Sequence, residues 1–148
     1  FKLGDENFGL PILKVKEING MMDITHIPRA PEYIKGVINL RGKIIPVIDL
    51  RLKFSMPEKE YNARTCIIVV EMSTDNGKKQ MGLVVDTVSE VQNIDDEQIE
   101  PPADYYSESG NFLLGIGKLE DKVIMLLDIG KVLSGTDIKI LNEIKGGQ

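Results

Sequence analysis

The 148-residue chain is poor in the residues on which fixed-site chemistry depends: one histidine, one cysteine and no tryptophan. One His and one Cys cannot complete a zinc shell, and the carboxylates show neither HExxH nor EF-hand spacing, so no metal site is expected. His26 stands in a proline-bounded connector with no G-x-S-x-G elbow elsewhere in the chain. A surface or loop-packing role is expected for it, because a general base needs an oriented nucleophile within reach. The lone Cys66, in the run CIIVV, excludes an intrachain disulfide and reads as a buried, inert thiol. It fits a reducing compartment, and a cytoplasmic location is expected. No apolar stretch approaches the roughly 18 residues of a membrane span and no signal peptide is visible, so direct membrane insertion is not expected. The chain opens on Phe1 in mid-strand and reads as trimmed there. Positive charge is scarce too: the net charge is −5 and the pI about 5.0, against the clustered Lys and Arg of a nucleic-acid binder. No Walker pattern exists, and Gly115-x-Gly117 opens a strand and lacks the third glycine of a dinucleotide fingerprint. No catalytic, metal or cofactor-binding constellation is left.

What the chain does have is a repeat. Gly36–Leu50, GVINLRGKIIPVIDL, sets two apolar runs on either side of Arg41-Gly42, the layout of a tight β-hairpin with Gly42 free to take a positive φ. Gly115–Ile129, GIGKLEDKVIMLLDI, repeats it without a gap at an offset of 79 residues. Gly36/Gly115, Leu40/Leu119, Lys43/Lys122, Ile45/Ile124 and Asp49/Asp128 are identical. The second turn carries Glu120-Asp121, and Asp tolerates left-handed geometry. Phe8-Gly9-Leu10 likewise matches Met81-Gly82-Leu83, and Glu17-Ile18 matches Glu90-Val91, at an offset of 73. The unit is hairpin, proline-bearing connector, hairpin, short helix.

Along the chain, Phe1–Gly4 reads as a strand end and Phe8–Ile18 as one long strand, with Pro11 at an edge or bend. Residues 19–35 form a connector, Asp49–Phe54 a short helical turn and Met56–Arg64 a polar loop. Thr65–Met72 and Gln80–Val91 form a hairpin around Asp75-Asn76-Gly77. A second connector passes Pro101, Pro102 and Tyr105-Tyr106, and helical spacing of Ile138, Leu141 and Ile144 predicts a terminal helix within Thr136–Ile144. About eight strand segments are expected. The apolar runs Ile67–Val70, Leu83–Val85 and Val123–Leu127 imply strands covered on both faces, which two small closed barrels packed together would provide. Asp49 and Asp128, at equivalent hairpin ends, are expected to cap the turns that follow them. Comparison of the two copies singles out Arg41. Buried positions agree in type, while the exposed tip is Arg41 in one and Glu120 in the other; a solvated turn arginine and an interaction site both remain open. Glu17 or Glu90 is a carboxylate within the fold that could pair with it.

These residues resemble the CheW family of bacterial chemotaxis coupling proteins. PEYIKGVINLRGKIIPVIDLRLKF, Pro31–Phe54, is similar to the family's signature segment, FKLGDENFGLPILKVKEI to its start, and IIVVE, GLVVDTVSEV and LLDIGKVL follow in family order. The resemblance runs from Phe1 to about Leu141 and weakens around Pro101–Asn111. It implies an all-β fold of two pseudo-symmetric five-stranded SH3-like β-barrels, with short helices including one near the C-terminus. It also implies no catalysis, and an adaptor joining the cytoplasmic tip of chemoreceptors to the regulatory domain of the histidine kinase CheA, which shares the fold. It places receptor contacts on the first lobe, where Val15, Glu17 and Arg41 are candidates, Ile38, Asn39 and Leu40 flank them, and Arg41 and Glu17 are a candidate bonded pair. Kinase contact is expected on the second lobe, without residue assignment. Repeat symmetry suggests that residues 13–80 form the first barrel and residues 1–12 with 81–135 the second, followed by a C-terminal helix and tail of 136–148. A regulatory domain cut from a CheA-type kinase, or the coupling half of a response-regulator fusion, remains the alternative.

Overall fold

The computed structural model describes residues 1–74, 77–89, 91–101 and 112–132. They are mainly β. The strands are β1 Lys2–Leu3, β2 Glu6–Gly9, β3 Val15–Gly20, β4 Ile34–Leu40, β5 Lys43–Asp49, β6 Cys66–Thr74, β7 Gly77–Val85, β8 Ile99–Glu100, β9 Leu113–Lys118 and β10 Val123–Leu127. Two one-turn helices, α1 Leu50–Lys53 and α2 Ile129–Val132, follow β5 and β10. The strands form two five-stranded sheets, in the orders β3-β6-β7-β5-β4 and β1-β2-β10-β9-β8. The expected terminal helix, the Tyr105-Tyr106 connector, the Asp75-Asn76 turn and Glu90 lie outside the described residues.

The repeat in sequence is a repeat in space. β4 and β5 pair antiparallel with Leu40 opposite Lys43, leaving Arg41 and Gly42 alone in the loop. β9 and β10 pair the same way. β5 runs parallel to β7 with Val47 opposite Gly82, and β10 runs parallel to β2 with Leu126 opposite Gly9, so the matched glycines face matched partners. Asp49 and Asp128 donate their backbone N–H groups to the carbonyls of Tyr33 and Phe112, at 2.8 Å each. Both then cap as expected: Asp49 Oδ1 accepts from Arg51 N at 2.9 Å and Asp128 Oδ1 from Gly130 N at 3.0 Å. Gly36 and Gly115 are both places where another backbone segment lies close against the strand, the Thr25 connector at Gly36 and β8 at Gly115. Beyond Gly36 lies the Thr25 carbonyl, and beyond Gly115 the Glu100 carbonyl, too close for any side chain.

The turns differ. Arg41 (φ 54°) and Gly42 (φ 86°) both take positive φ, the geometry of a type I′ turn that matches strand twist. Glu120 and Asp121 do not; Leu119 keeps one backbone bond to Lys122, so the second tip closes without left-handed residues. A side chain at Gly42 would meet open space, so Gly42→Val tests backbone strain alone. It should cost about 1–2 kcal/mol in urea unfolding; an unchanged midpoint would show that the turn relaxes freely.

Two apolar clusters hold the sheets. Ile38, Ile45, Val47, Ile67, Val69 and Val84 fill the interior of the first sheet. A larger cluster, including Leu3, Phe8, Ile48, Ile68, Val70, Leu83, Leu113 and Leu127, lies between the two sheets. Alternate residues of β6 and β7 enter alternate clusters, so these strands are buried on both faces as expected. β10 departs from the same expectation at one end only: Ile124 and Leu127, on opposite faces, are buried, while Val123, beside the Glu120-Asp121 turn, is 53% exposed. Phe8–Ile18 is not one strand either. β2 ends at Gly9, Pro11 supplies no ladder donor, and a 3₁₀ turn at Ile12–Lys14 separates it from β3. β7 ends at Val85, short of Val91, as Asp86 turns into a polar contact. Cys66 is half-exposed with Sγ 3.2 Å from the Arg64 carbonyl, not buried, because it opens β6 at the sheet margin.

One polar network ties distant segments. Asp86 accepts from Gly4 N at 2.7 Å and, through both oxygens, from Arg51 Nε at 2.8 and 3.1 Å. Arg51 Nη1 donates to the Pro57 carbonyl at 2.7 Å, and Lys59 Nζ lies 3.8 Å from Asp86.

Candidate functional site

β3 is an edge strand, bonded to β6 on one side, and its register slips between Val15, opposite Val70, and Glu17, opposite Val69. The slip makes Lys16 an extra residue, and its amine pairs with Glu71 at 3.5 Å. Beyond the slip, Glu17 and Asn19 share a face, two residues apart on a pleated strand. Asn19 Nδ2 donates to Glu17 Oε1 at 2.8 Å. The other oxygen, Oε2, accepts from the Arg41 guanidinium, which reaches across from the β4–β5 tip. The tip is itself held: Asn39 Oδ1 accepts from Gly42 N at 2.7 Å, closing the left-handed turn beneath Arg41.

Arg41 is 70% exposed and the Glu17 side chain 29%. The Arg41 bond, then the Asn19 bond, hold the Glu17 carboxyl below the usual carboxylate range. Glu17 therefore stays ionised through mild acid and keeps its grip on Arg41. A solvated ion pair of this kind adds little stability, so its geometry is not explained by folding alone.

Of the six residues singled out in the sequence, Glu17, Asn39 and Arg41 stand together on the surface. Leu40 is half-buried beside them, packed against the first sheet's interior. Ile38 is 1% exposed and wholly inside that interior, so it supports the tip without facing solvent. Val15 packs against the cluster between the sheets. Asn19 was missed, although its place two residues beyond Glu17 on a strand was readable. In the second copy, Glu120 is exposed at its tip.

A second feature was not visible in the sequence. All four phenylalanines form one row: Phe1 and Phe8 have ring centroids 5.8 Å apart, Phe8 and Phe54 5.9 Å, Phe54 and Phe112 5.5 Å. The row joins the end of α1 to the second sheet and borders an apolar cavity of about 660 Å³ lined also by Met56, Ile116 and Met125. Concave, mainly apolar surfaces of this size suit ligands or protruding partner side chains.

The chain matches the CheW-like domain over residues 1–137. It is 39% identical to "Chemotaxis protein CheW" of Klebsiella aerogenes, across 97% of this chain and 85% of that one. It is 34% identical to "Chemotaxis protein CheW" of Helicobacter pylori, across 90% and 78%. Among solved structures it is similar to the scaffolding protein TtCheW from Thermoanaerobacter tengcongensis, with 42% identity, a TM-score of 0.79, and 86% and 85% of the two chains covered. The two β halves found here match the architecture of that structure.

Proposed function

This chain belongs to the CheW-like family, and from that premise we propose that it is a non-enzymatic chemotaxis adaptor coupling chemoreceptors to a CheA-type histidine kinase. The observation that carries the reading is the Arg41–Glu17 pair, exposed at the tip of a rigid hairpin and left unexplained by folding. Arginine's planar fork suits oxygen acceptors on a partner. The names of the relatives and the scaffolding role of the solved neighbour support an adaptor over a catalyst. In this proposal the cytoplasmic tip of a chemoreceptor docks beside β3 and the β4–β5 hairpin. Arg41, Glu17, Asn39 and Leu40 supply the surface, and Val15 and Ile38 hold it from beneath. The kinase's regulatory domain docks on the second lobe. Each interface would bury about 1,200–1,600 Å² or less, weak singly and firm in an array. No helix among the described residues is long and apolar enough to cross a membrane.

Arg41→Glu turns the pair into a like-charge contact with Glu17. It should leave the circular dichroism spectrum unchanged and weaken binding of a receptor cytoplasmic fragment about tenfold, measured by titration calorimetry. Wild-type affinity in a folded variant would sink the role given to Arg41.

A further inference from the structure

We infer that Asn19 is a positioning residue for Arg41: through Glu17 it holds the guanidinium in one orientation, so that a partner meets a preset hydrogen-bond fork instead of a mobile cation. The inference rests on the proposal that Arg41 is a partner contact, and adds to it a residue and a mode of recognition.

An exposed arginine at a turn samples many rotamers, and each must be given up on binding. Here both ends of the problem are addressed. The backbone beneath Arg41 is held by the Asn39–Gly42 bond across the left-handed turn. The side chain is held by Glu17, and Glu17 in turn by Asn19, which occupies Oε1 and leaves Oε2 to the guanidinium. Without Asn19 the carboxylate could rotate and present either oxygen, and the pair would slacken. Residues that orient a contacting group from behind are what separate a site that is merely present from one that is set.

The pair also has an electrostatic consequence. Arg41 is the charge that acts on Glu17, and together they form a locally neutral unit. Long-range attraction for an acidic partner is therefore weak, and selectivity comes from donor direction at short range. The partner surface that fits is one offering fixed oxygen acceptors, and its affinity should depend only weakly on ionic strength at this contact.

The test uses the whole chain as Asn19→Ala and Asn19→Gln, with a receptor cytoplasmic fragment as the probe. The carbon-detected titration of the Glu17 carboxyl and the Arg41 side-chain NMR signal report the pair directly, without any partner. In Asn19→Ala, the melting temperature stays put, the Glu17 titration moves up toward the ordinary range and the Arg41 signal averages toward that of a free arginine. Affinity for the fragment falls about three- to tenfold, the size expected of one lost bond to a charged, exposed group. The fall steepens with added salt, because a loosened arginine acts as a point charge. Asn19→Gln, which keeps an amide donor on the same face, restores most of the loss. An unchanged Glu17 titration and Arg41 signal in Asn19→Ala would overturn the positioning role. A changed titration with unchanged affinity would overturn its link to recognition. If Arg41→Glu itself binds like wild type, the site reading fails, and the two NMR signals still decide whether Asn19 holds the pair.

Discussion

Gly36→Ala should lower stability by about 3–5 kcal/mol, the largest effect expected of a methyl added at any glycine among the described residues. Two costs combine. Gly36 has φ of +144°, outside the region that L-residues adopt, and strain of that kind costs about 1–3 kcal/mol. A Cβ there would also sit 1.9 Å from the Thr25 carbonyl oxygen and 2.7 Å from its carbon. Those are backbone atoms, so relief requires moving the connector, and forced repacking costs about 1–3 kcal/mol more. The connector cannot move without loss, because Thr25 and Val37 exchange backbone bonds of 2.8 and 2.9 Å at this crossing. Against a total stability of roughly 5–15 kcal/mol, much of the fold is at stake. Urea unfolding should show a large fall in midpoint with little change in slope. Gly115→Ala is the internal comparison: its added Cβ would lie 2.8 Å from both the Glu100 oxygen and an Ile99 methyl, but no left-handed φ adds to the cost. It should be clearly the milder of the two. A loss under about 1 kcal/mol for Gly36→Ala would mean that Thr25 is not held over the strand.

Asp86→Ala should cost about 2–4 kcal/mol. Removing the carboxylate strands Arg51, whose side chain is 13% exposed, and deprives Gly4 N of its acceptor. Breaking a fully buried pair from one side costs about 3–5 kcal/mol; the 11% exposure left to Asp86 reduces that somewhat. The same bonds set the pH dependence. Burial alone would raise the Asp86 carboxyl, but the bonds from Arg51 and Gly4 outweigh it and hold the carboxyl below its ordinary value. A carboxyl lowered in the folded state adds stability that is complete above the unfolded pKa of about 3.9 and lost as pH falls through the folded one. Wild type and Asp86→Ala should therefore differ most near neutral pH and converge in strong acid. Replacing both partners, as in Asp86→Ala with Arg51→Met, should cost less than the two single changes added together, since no charge is then left buried. Parallel stability curves down to pH 2 would mean that Asp86 contributes through packing and not through its charge.

The two expectations rest on different kinds of residue, and they differ in how readable they were. Gly36 and Gly115 announced themselves as identical positions in two copies of one hairpin, as did Asp49 and Asp128 with their caps. Strand periodicity found β4, β5, β6 and β7, and the unbroken apolar runs pointed to strands with a core on each face. Val123–Leu127 holds buried residues on both faces, Ile124 on one and Leu127 on the other, but apolar content alone did not show that Val123, next to the turn, stays exposed. Phe8–Ile18 misled because Pro11 was compatible with a bend, an edge or a break, and only the chain's path chooses among them. At the candidate site, Arg41 stood out by differing between copies, and its pairing with Glu17 followed from family resemblance. Asn19 had no such marker.

By itself the sequence determined the strands β4 to β7, the duplicated unit, the caps, the left-handed turn at Gly42 and the family. Each of these is local, or is visible by comparing the chain with itself. Tertiary structure decided the rest: the Arg51–Asp86–Gly4 tie, the row of four phenylalanines, the backbone crossing over Gly36 and the Asn19–Glu17–Arg41 chain of bonds. Most of these join side chains or backbone from segments far apart in sequence, and which of them meet depends on strand order and register. Two strands of the same apolar pattern can be placed in many orders at similar cost in buried area. The register slip at Lys16 is what turns Glu17 and Asn19 together toward Arg41; the imperfect alternation from Leu13 onward pointed to a bulge in this strand, but not to what it brings together.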